Sequence, residues 1–148
     1  MTNLVLCGPE EAARLLPMIA AAHEEAGVKS SDAARAEALT PLLEGSPHGV
    51  AYLIGPARAP IGYAVIGFGW SVAAGGLAGN LEELWIRPGV RGRGIGSEVL
   101  GTLPKALAAG GLRALTAAVP AGDEALGRFF RRSRFLAKSE TRVLTLRL

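Results

Sequence analysis

The sequence predicts an α/β fold in which helices pack against a single sheet, and three observations support this prediction. The apolar residues first follow a helical period and then change to the alternating period of strands. A glycine-rich turn joins a strand-like run to a helix-like run after the middle of the chain. A strand follows that helix, which predicts a late β-α-β crossover. The predicted order of elements is β α α β β β α β α β.

Two helices are predicted after a short strand at Leu4 to Cys7. The first helix begins near Pro9, because proline suits the first helical position. Its core-facing stripe has helical spacing and consists of Ala12, Leu15, Leu16, Ile19 and Ala20. The second helix follows Ser31, a favourable N-cap residue, and runs toward Leu43. Prolines inside both helices predict a local disturbance of each.

Three strands are predicted next. Gly49 to Ile54 and Ile61 to Trp70 are separated by turn-forming residues, which predicts a hairpin. A loop of small residues, Ser71 to Gly79, leads to a strand at Asn80 to Ile86. These runs would form the central part of the sheet.

The last third predicts two helices and two strands. A helix covers Ser97 to Ala109, with Pro104 expected to disturb it. A strand at Leu112 to Val119 follows, and then a short helix from Asp123 to Arg132 with Asp123 as its cap. The alternating residues Thr141 to Leu148 predict a final strand.

The composition indicates one globular domain over residues 1–148. This length allows a hydrophobic core without disulfides or a structural metal. Apolar residues make up 49% of the chain and charged residues 20%, which excludes a disordered protein. The net charge of +3 is too small to indicate nucleic-acid binding, and neither histidine belongs to a set of metal ligands.

The location is predicted from the cysteine content and the first residues. Cys7 is the only cysteine, so it forms no internal disulfide and is expected to be a small buried side chain. Residues 1–8 lack the basic start and the long apolar stretch of a signal peptide. No run approaches the roughly 20 apolar residues of a membrane span. We therefore expect a cytoplasmic protein without a membrane partner.

The glycine-rich turn Arg91-Gly92-Arg93-Gly94-Ile95-Gly96 lies between a predicted strand and a predicted helix. Glycine allows the backbone to approach an anion closely, and the first N–H groups of a helix have no intrahelical partner. Such a turn can bind pyrophosphate. A tight turn without a ligand is an alternative. A dinucleotide fingerprint fits less well, because its third glycine falls at Ser97, and a P-loop is excluded because no Gly-Lys-Ser/Thr follows.

The segment Leu84-Trp85-Ile86-Arg87-Pro88, followed by the turn, resembles the acetyl-CoA signature of the GNAT superfamily of N-acetyltransferases, whose core is Gln/Arg-x-x-Gly-x-Gly/Ala. From Leu81 to Leu100 the pattern looks most like the diamine and polyamine acetyltransferases, and a weaker likeness continues to about Phe135. The resemblance implies the GNAT fold, with six to seven strands in a mostly antiparallel mixed sheet and about four helices. It also implies a splay between the fourth and fifth strands.

The resemblance further implies acetyl-CoA as co-substrate. Backbone groups on the splayed strand would pair with the pantetheine arm, while the turn amides and the helix dipole would hold the pyrophosphate. The residues implied to bind the cofactor are Leu84, Trp85, Ile86, Arg91, Gly92, Arg93, Gly94, Ile95, Gly96, Ser97, Asp123 and Phe130.

Acetyl transfer requires a neutral amine, whereas an alkyl amine has a pKa near 10, so a proton acceptor is needed. Glu82 and Glu83 lie on the strand before the turn, and because side chains alternate on a strand we expect only one to face the substrate. The resemblance favours Glu82 as the base, with Glu83 on the other face or binding the amine's charge. The alternative is that both are solvated carboxylates. A backbone N–H near Trp85 or Ile86 would stabilise the carbonyl oxygen.

Phe130 is a departure from the family pattern, which has a tyrosine at this position as the general acid. Phenylalanine has no proton to donate, and water, Tyr63 or Tyr52 are the substitutes that the chain offers. A thiol has a pKa near 8.5 and leaves readily as a thiolate, so strong acid assistance is not required.

The acceptor side is predicted from the acidic end of the first helix. Glu24 and Glu25 lie there, and an acidic cluster would suit a small cationic amine. The leading hypothesis is an N-acetyltransferase acting on such an amine, with homodimers implied by the resemblance. The alternatives are a protein or peptide N-acetyltransferase and a non-catalytic acyl-CoA-binding module.

Overall fold

The computed structural model describes residues 2–138 and 141–148. The chain forms two compact units, Met1–Ala118 and Val119–Leu148, which are described in turn. The first unit contains the sheet, and the described part of the second contains one helix. The single domain over residues 1–148 stays a prediction.

A five-stranded sheet organises the described part of the first unit. Its strands are β1 (Leu4–Leu6), β2 (Gly49–Ile54), β3 (Gly62–Ser71), β4 (Gly76–Ile86) and β5 (Ala114–Ala117), in the spatial order β1-β2-β3-β4-β5. The first four strands are antiparallel to their neighbours, and β5 runs parallel to β4. The predicted mixed, mostly antiparallel sheet is confirmed, with five strands instead of six to seven.

Three helices belong to the first unit: α1 (Ala12–Ala26), α2 (Asp32–Leu43) and α3 (Ile95–Ala109). A 3-10 turn at Pro9–Glu11 precedes α1, and Ser31 caps α2 as predicted, because its hydroxyl accepts a hydrogen bond from the Ala34 N–H. Each helix continues through an internal proline, at Pro17, Pro41 and Pro104. The expected disturbance does not end any of them, because each buries apolar side chains that offset one lost backbone hydrogen bond.

The core lies on both faces of the sheet. On one face, α1 and α2 pack over the strands with the buried side chains Cys7, Leu15, Met18, Ile19, Leu39, Leu43, Ala51, Leu53 and Tyr63. Cys7 is therefore buried, as predicted. The opposite face carries Ile54, Ala64 and Ile66, and α3 buries its own stripe of Val99, Leu100, Leu103 and Leu107.

The hairpin between β3 and β4 is longer than predicted. The predicted loop Ser71 to Gly79 is reduced to a turn, because Ser71 pairs with Gly76 and the ladder continues from there. Gly75 and Gly76 have φ of 94° and 144°, which side chains rarely adopt, so they make the turn. The residues in this part of the ladder are small and pair through their backbones. Because their sequence does not alternate between apolar and polar residues, it did not predict a strand.

The second unit contains α4 (Glu124–Arg132). Asp123 caps it as predicted, since its Oδ1 accepts a hydrogen bond of 3.1 Å from the Leu126 N–H. The predicted strand at Thr141 to Leu148 is wrong: no strand forms in the described residues 141–148, and Val143, Leu144, Leu146 and Leu148 are more than 80% exposed. An alternating sequence forms a strand only where another strand pairs with it. Across the described residues no helix is long and apolar enough to cross a bilayer.

Candidate active site

The end of β4 presents unpaired backbone groups along one edge. β4 pairs with β5 only from Ala78 to Leu81, yet it continues to Ile86. The Arg87 N–H donates to the Ile61 carbonyl on the β3 side at 2.8 Å, and backbone groups alternate along a strand. The N–H groups of Leu84 and Ile86 therefore point away from β3, toward an edge where no strand of the described first unit follows.

The glycine turn lies directly after this edge and opens α3. Gly92 and Gly94 have φ of 77° and 80°, in the left-handed region that favours glycine, and Gly94 is the N-cap. The helix begins at Ile95, two residues before the predicted start, so Ile95, Gly96 and Ser97 form its first turn. A Cβ added at Gly92 or Gly94 would meet no described atom within 4 Å. The backbone N–H groups of this first turn have no intrahelical partner, and the space in front of the turn is open, so a pyrophosphate could bind there.

A β-bulge places both glutamates of β4 on one face of the sheet. Val65 pairs with Glu83 and Ile66 pairs with Leu81, so Glu82 is the extra residue. A Cβ built at Gly67 would lie 3.3 Å from Glu82 Oε1, and Gly67 shares a face with Val65, the partner of Glu83. The expectation that only one glutamate faces the substrate side is therefore wrong, because the bulge interrupts the alternation.

The carboxylate of Glu83 accepts hydrogen bonds from two sides. The Tyr63 hydroxyl donates to Oε1 at 2.6 Å, and His23 Nε2 lies 3.0 and 3.2 Å from the two oxygens. His23 comes from α1 and Tyr63 from β3, so packing of the helix on the sheet brings the three residues together. Glu82 is exposed and accepts no hydrogen bond from any side chain in the described ranges.

Behind His23, a hydrogen-bonded line continues into the loop between α1 and α2. His23 Nδ1 lies 2.8 Å from the Ser30 hydroxyl, which also accepts a hydrogen bond of 2.8 Å from Arg35 Nη1. An open cleft of about 710 Å³ adjoins this line, and its lining includes His23, Glu24, Lys29, Ser30 and Arg35. Glu24, predicted to contact the acceptor, therefore lies beside His23.

Glu25 and Arg91, predicted to bind the acceptor and the donor respectively, contact each other. Two nitrogens of Arg91 lie 2.7 and 2.9 Å from the two oxygens of Glu25, and the Trp85 indole N–H donates to the same carboxylate at 3.1 Å. The hydrogen bonds from Arg91 first, and then Trp85, lower the pKa of Glu25 to about 2. Arg91 Nε also donates to the Ile86 carbonyl at 2.8 Å. This contact joins the end of α1 to the glycine turn.

Both tyrosines that could replace the missing general acid are poor proton donors to a leaving group. Burial, and then the hydrogen bond to Glu83, raise the pKa of Tyr63 above its ordinary range. Burial also raises the pKa of Tyr52. A phenol with a raised pKa holds its proton more tightly, so neither tyrosine is favoured over water as a proton donor.

The remaining predicted site residues differ in their surroundings. Arg93 is exposed in the glycine turn. In the second unit, the Asp123 carboxylate caps α4, and Phe130 is buried with its ring centroid 5.2 Å from that of Phe129 and 5.1 Å from that of Phe135. The predicted part of Asp123 and Phe130 in cofactor binding stays a prediction. Within residues 2–138 and 141–148, no cluster of three or more metal-ligating side chains occurs.

The sequence did not identify His23 as a partner of Glu83, nor Ser30 and Arg35 as the residues that continue the hydrogen bonds behind it. His23 and Glu83 are 60 residues apart, and the local sequence around each gives no sign of the other. An acidic residue on a strand and a histidine at a helix end become informative only once the helix is placed on that strand.

Comparison with known proteins agrees with this geometry. Residues 17–135 match the sequence profile of the Acetyltransferase (GNAT) family. A search of curated proteins found no match. The integron cassette protein HFX_CASS3, from the mobile metagenome of Cole Harbour Salt Marsh, is similar in structure at 26% identity and a TM-score of 0.84, covering 98% of this chain and 90% of its own.

Two further solved structures resemble the chain over nearly its whole length. A candidate acetyltransferase from Arthrobacter sp. FB24 is 27% identical, with a TM-score of 0.78 and coverage of 99% of this chain and 93% of its own. The aminoglycoside N-acetyltransferase AAC(6')-Iy, solved in complex with CoA, is 13% identical, with a TM-score of 0.81 and coverage of 100% and 95%. The chain has the GNAT fold, is an acyltransferase and belongs to the GNAT family of acetyltransferases.

Proposed function

We propose that the protein transfers the acetyl group of acetyl-CoA directly to a primary amine of a small cationic acceptor. The observation that carries this proposal is the placement of two carboxylates, Glu82 and Glu83, on one face of the strand that ends at the glycine turn. One strand thus joins a donor site to groups that can bind and deprotonate an ammonium ion.

The donor side follows from the edge of β4 and the start of α3. The outward N–H and C=O groups of Leu84 would pair with the amide-rich pantetheine arm, as an added strand would. The amides of Ile95, Gly96 and Ser97 would hold the pyrophosphate, assisted by the helix dipole. The complex of the similar aminoglycoside acetyltransferase with CoA supports this assignment.

Glu82 and Glu83 have different roles in this proposal. Glu83 already accepts hydrogen bonds from Tyr63 and His23, and protonation would weaken both, so it serves as the fixed negative charge that binds the ammonium group. Glu82 is exposed and unengaged among the described side chains, so it can take the proton from the amine and release it to water. The neutral amine then attacks the thioester carbonyl.

The developing charge on the carbonyl oxygen would be stabilised by the N–H of Ile86. Trp85, the other predicted donor, is a weaker candidate, because strand alternation directs its N–H toward β3. When the tetrahedral species breaks down, its nitrogen loses its second proton to Glu82, which has released the first to water. The carbon–sulfur bond breaks and the sulfur leaves as a thiolate, for which neither tyrosine is needed.

The acceptor class is tested with a panel that separates the alternatives. Spermidine represents polyamines, kanamycin represents aminoglycosides, and a peptide with a free N-terminal alanine represents protein substrates. Release of free CoA thiol is followed with each, and acetylated products are identified by mass. We expect turnover with spermidine or kanamycin above that with the peptide. Binding of CoA in a calorimeter without thiol release from any amine would instead indicate a non-catalytic acyl-CoA-binding module.

A homodimer is proposed on the resemblance, with support from the second unit. The exposed side chains of Val143, Leu144, Leu146 and Leu148 form an apolar segment of the kind that usually contacts a partner. Light scattering of the full chain and of a chain ending at Lys138 tests this. A dimer that becomes a monomer on truncation is expected, and a monomeric full chain would contradict it.

A further inference from the structure

We propose that His23 is a positioning residue for the acceptor: it holds the Glu83 carboxylate in the orientation in which it meets the acceptor's ammonium group. The inference rests on the proposed function of Glu83. It assigns a role to a histidine that lies outside the acetyl-CoA signature, at the end of α1 rather than on β4.

The hydrogen bonds of the line hold the imidazole of His23 in place. Arg35 Nη1 can only donate, so the Ser30 oxygen accepts from it at 2.8 Å. The Ser30 hydroxyl then has its own hydrogen for His23 Nδ1, which lies 2.8 Å away. If Nδ1 accepts, the ring hydrogen is on Nε2, which points at the oxygens of Glu83. Every donor in the line then has an acceptor, and the ring is held at both of its nitrogens.

The second partner of Glu83 is the Tyr63 hydroxyl, which donates to Oε1 at 2.6 Å, and burial raises the pKa of that phenol. His23 Nε2 lies 3.0 and 3.2 Å from the two carboxylate oxygens, so the two partners together fix the orientation of the carboxylate. The Glu83 side chain is 34% exposed, so an ammonium group can still reach it.

The test compares steady-state constants of four variants with those of the wild type, using the panel amine that the wild type acetylates fastest. His23→Ala removes the donor, His23→Gln supplies an amide N–H in its place, and Ser30→Ala removes the hydroxyl that holds the imidazole ring. His48→Ala is the matched control, because that histidine is exposed in a loop after α2. The KM for acetyl-CoA and the thermal unfolding midpoint are measured for each.

We expect His23→Ala to raise the acceptor KM about tenfold, the effect of one hydrogen bond to a charged group, with kcat within about twofold. His23→Gln should recover to within about threefold, and Ser30→Ala should raise the KM about threefold. His48→Ala and the KM for acetyl-CoA should not change.

Other results would overturn the inference. A fall in kcat at unchanged acceptor KM would make His23 part of the proton path instead, and an unchanged KM would leave it without a role. If His23→Ala fails to fold, the acceptor KM and kcat of His23→Gln and Ser30→Ala decide between these outcomes. A wild type that acetylates no amine would refute the proposed function itself. An active wild type whose acceptor KM is unchanged in His23→Ala would refute this inference alone.

Discussion

The hydroxyl of Tyr63 donates a 2.6 Å hydrogen bond to Oε1 of Glu83, and thereby links the buried core of the sheet to the candidate active site. Tyr63 is completely buried on β3, and its ring lies 6.2 Å from that of Trp85 on β4. The raised pKa of Tyr63 keeps the phenol protonated at physiological pH. Tyr63 therefore acts as a fixed donor to Glu83 and is a poor source of protons for the leaving group.

Tyr63→Phe should separate these two roles. The variant keeps the ring and its packing but loses the donor, so we expect the acceptor KM to rise about tenfold while kcat falls by less than about threefold. The free energy of unfolding should fall by about 1–2 kcal/mol, measured by urea denaturation. A loss of kcat above about a hundredfold, with a basic pH limb that disappears in the variant, would show that Tyr63 is the general acid.

The two glutamates of the bulge should respond differently to the same substitution. Glu82→Gln removes the proposed base, so kcat should fall by about 10²–10⁴ at pH 7, with part of the loss recovered at high pH where more amine is neutral. Glu83→Gln removes the charge that binds the ammonium group and should mainly raise the acceptor KM. Full activity and an unchanged pH profile in Glu82→Gln would refute the assignment of the base.

Features that depend on local sequence were predicted well. The N-cap residues Ser31 and Asp123 and the order of the first nine elements follow from capping chemistry and hydrophobic period, and all appear in the structure. The glycine turn was recognised because its spacing is a signature in itself. The start of α3 was misplaced by two residues, since Ile95 and Gly96 are helical but belong to that signature.

Features that depend on pairing between distant residues were not predictable. The bulge at Glu82 is defined by the register with Val65 and Ile66, and a glutamate pair in a sequence does not reveal it. The contacts of Glu83 with His23, and of Arg91 with Glu25, join α1 to β4 and to the turn. The predicted last strand failed for the same reason, because alternation describes a strand but not its partner.

The left-handed backbone conformation at position 94 should require glycine. Gly94→Ala forces a side chain into the left-handed region at φ 80°, and should destabilise the fold by about 1–2 kcal/mol. The acetyl-CoA KM should rise as well, since the turn amides would move. Gly101→Ala is the control, because Gly101 is exposed inside α3 and a Cβ there meets no described atom within 4 Å.

The thermal unfolding midpoint and the KM for acetyl-CoA are measured for both Gly94→Ala and Gly101→Ala. Gly101→Ala should stabilise the protein by about 0.5–1 kcal/mol, since alanine is the better helix former, with kinetics unchanged. Equal stability of the two variants would contradict a special conformation at Gly94.

Cys7 should be unreactive while the protein is folded. Burial raises the pKa of its thiol to about 12, and the thiolate is the form that reacts with disulfide reagents. At pH 8 the native protein should release little chromophore from Ellman's reagent over an hour, whereas the guanidinium-unfolded chain should react fully. The thiol assay for acetyl transfer then reports CoA alone. Rapid labelling of the native protein would contradict this burial.

Because of the ion pair between Glu25 and Arg91, the free energy of unfolding should depend on pH in the acid range. The pKa of Glu25 is lowered to about 2 from an ordinary value of 4.5, so its stabilising effect is complete above pH 4.5 and is lost as the pH falls toward 2. Both side chains are more than 40% exposed, so the effect should stay below about 1 kcal/mol. Thermal unfolding of wild type and Glu25→Gln should differ at pH 7, and the difference should shrink below pH 4.5 and vanish near pH 2. Glu24→Gln, which changes the neighbouring acid, should show no such convergence, and a difference for Glu25→Gln that persists at pH 2 would mean that packing rather than charge is responsible.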